Sequence, residues 1–377
     1  MAQIRVESLH KAFGDFVAVR DSTFTVEDGD FFCLLGPSGC GKTTTMRMIA
    51  GLELPTSGRI LLGGEDVTFH RASQRDIAFV FQLFALYPHM NVRANIAFPL
   101  KSQGMARSQI ARRVDEAARI LRIADLLDKP VSGLSSGDRQ RVALGRAIVR
   151  EPKAFMMDEP LGALDAEFRE LMCGELRALH DRIGATTVYV THDQQEAMAM
   201  ADTIAVMNRG VIEQLGPPQQ IYDRPASRFV ADFIGSPPMG FLPVEGGVAR
   251  GAEAVGFRGA RIGVPRIHED VDEAQLWLGV RPEHVHIGAQ GEVAAEVFGV
   301  EYLGTTQIVT LAVEGGTRLR ARVASSMAVA AGAAVRLTLQ REKLSLFRGS
   351  DGRAIRTALH EPAADAAGGV AREAAHG

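Results

Sequence analysis

The sequence predicts an α/β domain followed by an all-β domain, and three observations support this division. Apolar runs typical of buried strands alternate with helical patterns over residues 1–235. A glycine-rich segment joins one of these runs to a helix. After the Ser236-Pro237-Pro238 sequence, short β-type runs separated by glycine turns take over. We therefore expect an open α/β sheet first and a small barrel over residues 236–360.

The glycine-rich segment follows the apolar run 31–35 and matches the phosphate-binding loop pattern G-x-x-x-x-G-K-[ST]. Its residues are Gly36, Pro37, Ser38, Gly39, Cys40, Gly41, Lys42 and Thr43, with Thr44 next. Such a loop curls so that backbone N–H groups surround a polyphosphate, and the following helix adds the positive end of its dipole. Lys42 is placed to reach the β- and γ-phosphates, and the Thr43 hydroxyl to ligate magnesium. The alternative is a glycine turn that merely connects a strand to a helix, but the placement predicts an α/β P-loop NTPase.

Composition narrows the function classes. The 377 residues suffice for two or three domains, and 46% hydrophobic with 23% charged residues is ordinary for a soluble globular protein. The formal net charge of −3 disfavours a general nucleic-acid binder. Three cysteines without metal-ligand spacing indicate a reducing compartment. No signal peptide or membrane span is expected, so any membrane role would come through a partner.

The elements before and after the loop can be predicted in order. Alternating apolar residues indicate strands at 4–8 and 22–27. The helix from Lys42 is expected to stop at Gly51, a plausible left-handed C′ residue. A continuous apolar run at 77–81 indicates a buried strand that ends at Gln82.

From residue 88 to 150 the pattern is helical, which predicts a helical subdomain inserted in the α/β core. Ile110, Val114, Ala117, Ala118 and Leu121 mark its apolar face. Strand patterns return at 154–157 and 186–190. Each ends in acidic or histidine-containing residues, at the sheet edge where open α/β folds place their ligands.

Two adjacent acids, Asp158 and Glu159, follow the first of these strands. A magnesium nucleotide site needs one carboxylate near the metal, and hydrolysis needs another to orient and deprotonate water. Asp158 suits the first role and Glu159 the second. Alone, the pair would be interpreted as surface acids at a turn; the phosphate loop upstream favours the catalytic interpretation.

Four further features are ambiguous when considered singly. Gln82 could ligate magnesium or water, or could be a surface group. His192 precedes Asp193 and Glu196, which have capping-box spacing, so it lies at a strand–helix junction where it could contact a γ-phosphate or be structural. Residues Leu134 to Arg141 form a helix N-terminus that could also bind an anion. Phe13 could stack on adenine or be an ordinary apolar residue.

Together these motifs resemble the ATP-binding cassette (ABC) family, the ATPase subunits of ABC transporters, over residues 4 to 235. The phosphate loop resembles Walker A, and residues 156–159 resemble Walker B. Gln82 matches the Q-loop, Asp165 lies in the D-loop-like segment 162–165, His192 matches the switch histidine and Phe13 the adenine-stacking position. The signature L-S-G-G-Q is matched approximately, by Ser135, Ser136, Gly137 and Asp138 after Leu134. Ser136 replaces the first glycine and Asp138 the glutamine, which suggests altered hydrolysis or coupling.

This resemblance implies an ABC cassette with an N-terminal antiparallel β part and a helical subdomain. It also implies a head-to-tail homodimer that binds two ATP molecules with Mg²⁺, each clamped by Walker A of one chain and the signature of the other. Thr43, Gln82 and Asp158 would serve the metal, and Glu159 and His192 would be catalytic. Two membrane permeases and an extracytoplasmic solute-binding protein would complete the transporter. The chain would then lie peripherally at the cytoplasmic face of the plasma membrane.

The β region resembles the OB-like TOBE domain of maltose-importer-type ATPases, at residues 278–284 and 300–304. The junction 234–239 resembles carbohydrate importers, although Gly240 replaces the usual asparagine. The resemblance therefore implies uptake of a sugar or glycerol phosphate, with polyamine or ferric iron as alternatives.

Two other function classes stay open at this stage. A cytosolic ABC ATPase acting on ribosomes or nucleic acid would usually carry two cassettes or a coiled-coil insertion, which we do not find. The OB-like domain has few aromatic residues for stacking on single-stranded nucleic acid, so no nucleic-acid partner is expected. A sensor that does not hydrolyse ATP is disfavoured by Glu159. The Ala/Gly/Glu-rich tail from residue 361 is expected to be disordered.

Overall fold

The computed structural model describes residues 2–80, 85–150, 152–162 and 164–360. Gln82 and the tail from residue 361 lie outside the described residues. The chain divides into two compact units between Ile221 and Tyr222. The boundary at 235/236 inferred from composition stays a prediction.

The first unit contains ten strands and six complete helices, among the residues that the structure describes. The strands are β1 (Ile4–Phe13), β2 (Phe16–Val26), β3 (Phe31–Leu35), β4 (Ser57–Leu62), β5 (Glu65–Asp66), β6 (Ile77–Val80), β7 (Ala154–Asp158), β8 (Thr186–Thr191), β9 (Thr203–Asn208) and β10 (Val211–Gly216). The helices are α1 (Lys42–Ile49), α2 (Val92–Ser102), α3 (Arg107–Ile120), α4 (Ser136–Ile148), α5 (Ala166–Ile183) and α6 (Gln194–Met200). Helix α7 (Pro218–Asp223) contains the division.

A six-stranded sheet with the order β10-β9-β3-β8-β7-β6 forms the centre of this unit. Strands β9, β3, β8, β7 and β6 run parallel, which explains why β3 and β8 are buried along their whole length. The register pairs Leu35 with Thr191 and Asp158 with Val190. The carboxyl ends of β3, β7 and β8 therefore meet at one edge, and the segments that follow them converge there.

An antiparallel sheet with the order β2-β1-β4-β5 packs in the same hydrophobic core. Ile4 and Val6 are buried in this core while Arg5 points to solvent, so the predicted alternation is confirmed up to Val6. It is wrong at Ser8, which is exposed with φ of +44°, and the next buried residue is Leu9 because the strand register shifts there. Ile4 and Val6 belong to one apolar cluster with Phe32 of β3 and Val188 of β8. The two sheets of the first unit thus contribute to a common apolar cluster.

The inserted segment is helical as predicted, with α2, α3 and α4 in succession. Each apolar residue predicted for its buried face is at most 8% exposed: Ile110, Val114, Ala117, Ala118 and Leu121. Asn91 caps α2 by accepting a hydrogen bond from the backbone N–H of Ala94 at 2.8 Å. The period-3.6 pattern was sufficient here because these helices bury a single face.

The second unit consists of helix α8 and antiparallel sheets. Its elements are α8 (Arg228–Phe233), β11 (Gly240–Glu245), β12 (Ala254–Phe257), β13 (Ala260–Gly263), β14 (Gln275–Val280), β15 (Val285–Gly288), β16 (Val293–Tyr302), β17 (Thr306–Val313), β18 (Thr317–Ala324), β19 (Ala334–Leu339) and β20 (Ser345–Arg348). The sheets have the orders β11-β14-β20, β12-β13 and β15-β19-β16-β17-β18 and enclose one apolar core. The predicted all-β domain is confirmed. Among the helices that the structure describes, none is long and apolar enough to cross a membrane.

Candidate functional site

The glycine-rich loop leaves β3 after Leu35 and ends where α1 begins at Lys42. Gly39 and Gly41 have φ of +78° and +108°, which favour glycine. A Cβ at Gly41 would overlap the carbonyl oxygen of Ala18, and one at Gly36 would overlap that of Met207. The loop is therefore packed tightly from outside, and at these positions its curvature depends on glycine.

The Lys42 side chain lies inside this curve and is only 4% exposed. Its ammonium donates hydrogen bonds to the carbonyl oxygens of Gly36 at 2.7 Å and Pro37 at 3.0 Å. The Cys40 sulfur is 3.9 Å from the same nitrogen, and burial raises the pKa of its thiol. A positive charge is thus fixed within a ring of backbone groups, which suits the binding of a polyphosphate. Ser38 is exposed on the loop, and Thr44 is half-buried in the first turn of α1.

The acidic pair meets this loop at the sheet edge. Thr43 donates a hydrogen bond from its hydroxyl to Oδ1 of Asp158, at 3.0 Å. Burial, and then the nearby Glu159 carboxylate, raise the pKa of Asp158, while the Thr43 hydrogen bond opposes that rise. The two oxygens are the hard ligands that Mg²⁺ prefers, and they lie together beside the phosphate loop. These residues therefore fit a magnesium site.

Glu159 follows Asp158 in a left-handed backbone conformation, with φ of +44°. Its N–H donates to the carbonyl of Val190 at 3.0 Å, and its own carbonyl accepts from Gly162 at 3.3 Å. These bonds hold an unusual conformation for a non-glycine residue, as is found at functional sites. Oε2 of Glu159 lies 3.2 Å from Nδ1 of His192, which follows β8 directly and is about half-exposed.

The signature-like segment begins α4. Ser135 is the N-cap: its hydroxyl accepts from the Asp138 N–H at 3.1 Å and donates to Oδ2 of Asp138 at 2.7 Å. Arg141 lies 3.8 Å from the same carboxylate, and Ser136 opens the helix. Asp138, one of the two residues that depart from the family pattern, is thus held by its own helix turn.

Gly137 packs directly against the ring of Phe168, in the first turn of α5, where a Cβ would overlap the ring. Asp165 caps that helix and accepts a hydrogen bond from the Phe168 N–H at 2.9 Å. Phe13 is 48% exposed, with the Lys11 ammonium 4.6 Å from its ring centre. Gln82 lies outside the described residues.

Comparisons with known proteins bear directly on this arrangement. The ABC transporter family model matches residues 19–162, and the TOBE domain model matches residues 278–347. The trehalose/maltose import ATP-binding protein MalK of Thermococcus litoralis is 46% identical over 375 residues, covering 94% of this chain and 100% of the relative. The chain belongs to the ABC transporter ATPase family.

Other relatives and one solved structure agree with this assignment. The sn-glycerol-3-phosphate import ATP-binding protein UgpC of Ruegeria pomeroyi is 45% identical, covering 94% of this chain and 99% of the relative. The trehalose import ATP-binding protein SugC of Mycobacterium tuberculosis is 44% identical, covering 93% and 98%. The structure of CbiO1 from Clostridium perfringens, part of the ABC transporter complex CbiONQ, has a TM-score of 0.55 at 28% identity and covers 58% of this chain and 89% of its own. This ABC protein is therefore an ATP-binding ATPase with a C-terminal TOBE domain.

The described contacts sort the predicted residues of this ABC ATPase into two groups. Lys42, Thr43, Asp158, Glu159 and His192 are linked around the phosphate loop. The signature and D-loop residues meet each other instead, through Phe168.

Two residues beside these groups, Phe168 and Arg169, were not predicted from the sequence. The capping-box interpretation of Glu196 was half wrong. Asp193 does cap α6, but the Glu196 side chain points into the core and bonds to Tyr189 and Thr191. The alternation of hydroxyl residues in β8 was the available signal, because buried hydroxyls require partners.

Proposed function

We propose that this ABC ATPase powers an importer by binding and hydrolysing ATP between two copies of the chain arranged head to tail. The observation that carries the proposal is the placement of Glu159. Its carboxylate lies against His192, while Asp158 beside it bonds to Thr43 of the phosphate loop. A base, a histidine and a cationic phosphate cradle therefore share one edge of the sheet.

Each group has a role that follows from its chemistry. The glycine loop from Gly36 to Gly41 binds the phosphates through backbone N–H groups, and Lys42 neutralises charge on the β- and γ-phosphates. Glu159 orients the attacking water and accepts its proton. His192 holds the γ-phosphate and the Glu159 carboxylate in register. Phe13 offers an exposed ring for stacking on adenine.

The metal expected with ATP is Mg²⁺, held by Thr43 and Asp158 with Gln82 as a further oxygen ligand. Bound there, it would neutralise phosphate charge. The Thr43 hydroxyl donates to Asp158, so two of the oxygens that would hold the metal already lie together.

The second half of each ATP site would come from Ser135, Ser136, Gly137 and Asp138 of the other copy. The N-terminus of α4 would direct the positive end of its dipole toward the γ-phosphate. Asp165 in the D-loop would lie at the same dimer interface. The contacts that Gly137 of the signature and Asp165 of the D-loop both make with Phe168 support this arrangement, because they keep the two segments together at that interface.

The import role is supported by the names of the relatives, which concern trehalose, maltose and glycerol 3-phosphate. We assign the solute to small carbohydrates or glycerol phosphate on that basis. The ATPase would act at the cytoplasmic membrane face with two permease subunits and a solute-binding protein.

Replacement of the proposed base provides the functional test. Glu159→Gln keeps the shape and hydrogen bonding of the side chain but removes the base, so ATP turnover should fall about 10²- to 10⁴-fold while ATP binding persists. Phosphate release and nucleotide binding by the purified protein measure both effects. Glu65→Gln, at an exposed acid of β5, is the matched control. Turnover of Glu159→Gln within a few-fold of wild type would reject Glu159 as the base.

The same variants test import when they replace the native gene in its own organism. Wild type and Glu65→Gln should restore uptake of labelled trehalose, maltose or glycerol 3-phosphate, and Glu159→Gln should not. Restored uptake of spermidine or ferric citrate alone would overturn the solute assignment. If the protein hydrolyses ATP without supporting any solute uptake, and RNA is bound to the purified protein, the assignment as an importer subunit would be overturned.

A further inference from the structure

The buried carboxylate of Glu196 bonds to the segment that carries His192, the residue that matches the switch histidine. Glu196 is 3% exposed, and its Oε2 accepts hydrogen bonds from the Tyr189 hydroxyl at 2.8 Å and the Thr191 hydroxyl at 2.7 Å. The hydroxyl oxygen of Thr191 in turn accepts a hydrogen bond from the backbone N–H of Asp193 at 3.0 Å. Both chain neighbours of His192 are therefore tied to one network, while the His192 ring itself remains half-exposed.

Arg169 of α5 joins this network to the D-loop. Its Nη1 donates to Oδ2 of Asp193 at 3.0 Å, and its Nη2 donates to the backbone carbonyl of Leu164 at 2.9 Å. Its Nε lies 3.6 Å from Oε1 of Glu196. One planar guanidinium thus spans the residue before Asp165 and the residue after His192, a geometry that the flexible point charge of lysine does not reproduce.

The neighbouring residue extends the connection to the signature. Phe168 presses its ring against Gly137, so successive residues of one helical turn contact the signature on one side and the histidine segment on the other. Under the proposed function, the signature serves the ATP of the other copy and His192 serves the ATP of its own chain. The first turn of α5 therefore lies between two ATP sites.

We infer that Arg169 is a positioning residue that links the D-loop to His192, so that closure of the dimer interface sets the histidine and Glu159 for hydrolysis. The inference rests on the proposed function. Arg169 contacts neither nucleotide nor water in this scheme. It acts by fixing Asp193, and through it the backbone on which His192 is carried.

The chain offers a closely matched control in Arg177, two turns later on α5. Its side chain is 31% exposed against 30% for Arg169. It too donates to a backbone carbonyl, that of Met200 at 2.9 Å, and to a carboxylate, that of Asp202 at 2.8 Å. Arg177 therefore connects the same two helices, α5 and α6, but at the end of α6 away from His192.

The experiment compares Arg169→Met and Arg177→Met in the full-length protein. Both should lower the thermal midpoint to a similar extent, because each loses similar bonds. Only Arg169→Met should lower kcat for ATP hydrolysis, by about 10- to 100-fold, with KM for ATP within about twofold of wild type. Arg169→Lys should recover only part of kcat. Equal losses of kcat in the two methionine variants would assign Arg169 a structural role and overturn the inference.

A double variant tests whether the effect passes through the histidine. In a His192→Ala background, Arg169→Met should cause no further loss of kcat, since the group that it positions is gone. If the double variant instead loses kcat by the product of the two single-variant factors, the inference is overturned. If Glu159→Gln and His192→Ala themselves left turnover unchanged, the proposed function would fail. If they lower turnover strongly and Arg169→Met leaves kcat at the wild-type level, only the inference fails.

Discussion

At the scale of single residues, the site contains charged groups that are buried or half-buried. Lys42 is buried among backbone carbonyls, and Asp158 is half-buried with its pKa raised by burial first and by Glu159 second. Glu196 follows the same rule, because burial raises its pKa against the opposing effect of two hydroxyl donors. Burial of an ionised carboxyl group costs free energy in the folded protein.

The raised pKa of Asp158 gives a stability that depends on pH. The folded protein binds this proton more tightly than the unfolded chain, so stability falls as pH rises from the ordinary aspartate value through the raised one. At neutral pH the penalty is fully present. Asp158→Asn, which keeps an acceptor for Thr43, should therefore raise the thermal midpoint at pH 7 without nucleotide or magnesium, and the gain should shrink as the pH falls toward about 4.

Thermal melts of the free protein from pH 4 to 8 measure this effect. Asp128→Asn is the control, because its side chain is 87% exposed. A midpoint that does not rise at pH 7, or a gain that is equally large at pH 4, would contradict the assignment of the penalty to Asp158.

At the scale of elements, helix α1 ends on a buried cation that the sequence did not reveal. Arg75 is 1% exposed and donates to the carbonyls of Met48 at 2.7 Å and Ile49 at 2.8 Å, and also to Thr68 and His70. Burial lowers its pKa. Gly51, predicted as the helix stop, has φ of +72°, and a Cβ there would also press on the Arg75 side chain. The stop thus needs both a left-handed glycine and a cation for the last carbonyls.

Arg75→Met should leave three buried carbonyls and one part-buried carbonyl without this donor and lower the free energy of unfolding by about 2 to 4 kcal/mol. Urea denaturation followed by circular dichroism measures the change. Arg59→Met is the control: Arg59 pairs with Glu7 at 2.6 Å, but its side chain is 66% exposed, so the loss should stay below about 1 kcal/mol. Similar losses of unfolding free energy in both variants would show that burial does not strengthen the contribution of the Arg75 hydrogen bonds to stability.

At the scale of the whole molecule, the two units have separate apolar cores, and every residue proposed to bind ATP lies in the first. The first core includes Phe32 and Val188 beside the site strands. The second includes Leu278 and Leu311 of the β sheets. Nucleotide binding should accordingly stabilise one core directly.

Calorimetry of Glu159→Gln, which should hold ATP without turnover, tests this division. Two unfolding transitions are expected, and Mg-ATP at 100 times its Kd should stabilise one of them by about 2.7 kcal/mol. The other should remain in place. A single transition that shifts as a whole would contradict independent cores.

Much of this protein could be predicted from sequence, because local patterns carry the information. The helical insertion was predicted from the period of its apolar residues, because each helix buries one face, and the buried strands were predicted from continuous apolar runs. The glycine loop was predictable because its positive φ values and its close contacts with neighbouring backbone require glycine at particular positions, and the spacing of these positions is fixed. The acids after β7 and His192 after β8 were found by their positions at strand ends.

The remainder depends on groups that are distant in sequence. Thr43 and Asp158 are 115 residues apart, and only the parallel register of β3, β8 and β7 brings them to 3.0 Å. The contact between Gly137 and Phe168 could not be predicted either, because the periodicity of a helix does not indicate which other helix its face will contact.

The sequence by itself determined the fold class, the ATP-binding motifs and their assignment to a family, because these follow from spacing and local backbone preference. The tertiary structure decided where Glu196 points and what Arg169 joins. Side chains such as these satisfy buried partners, and the identity of a partner is fixed only when the sheet and its helices pack.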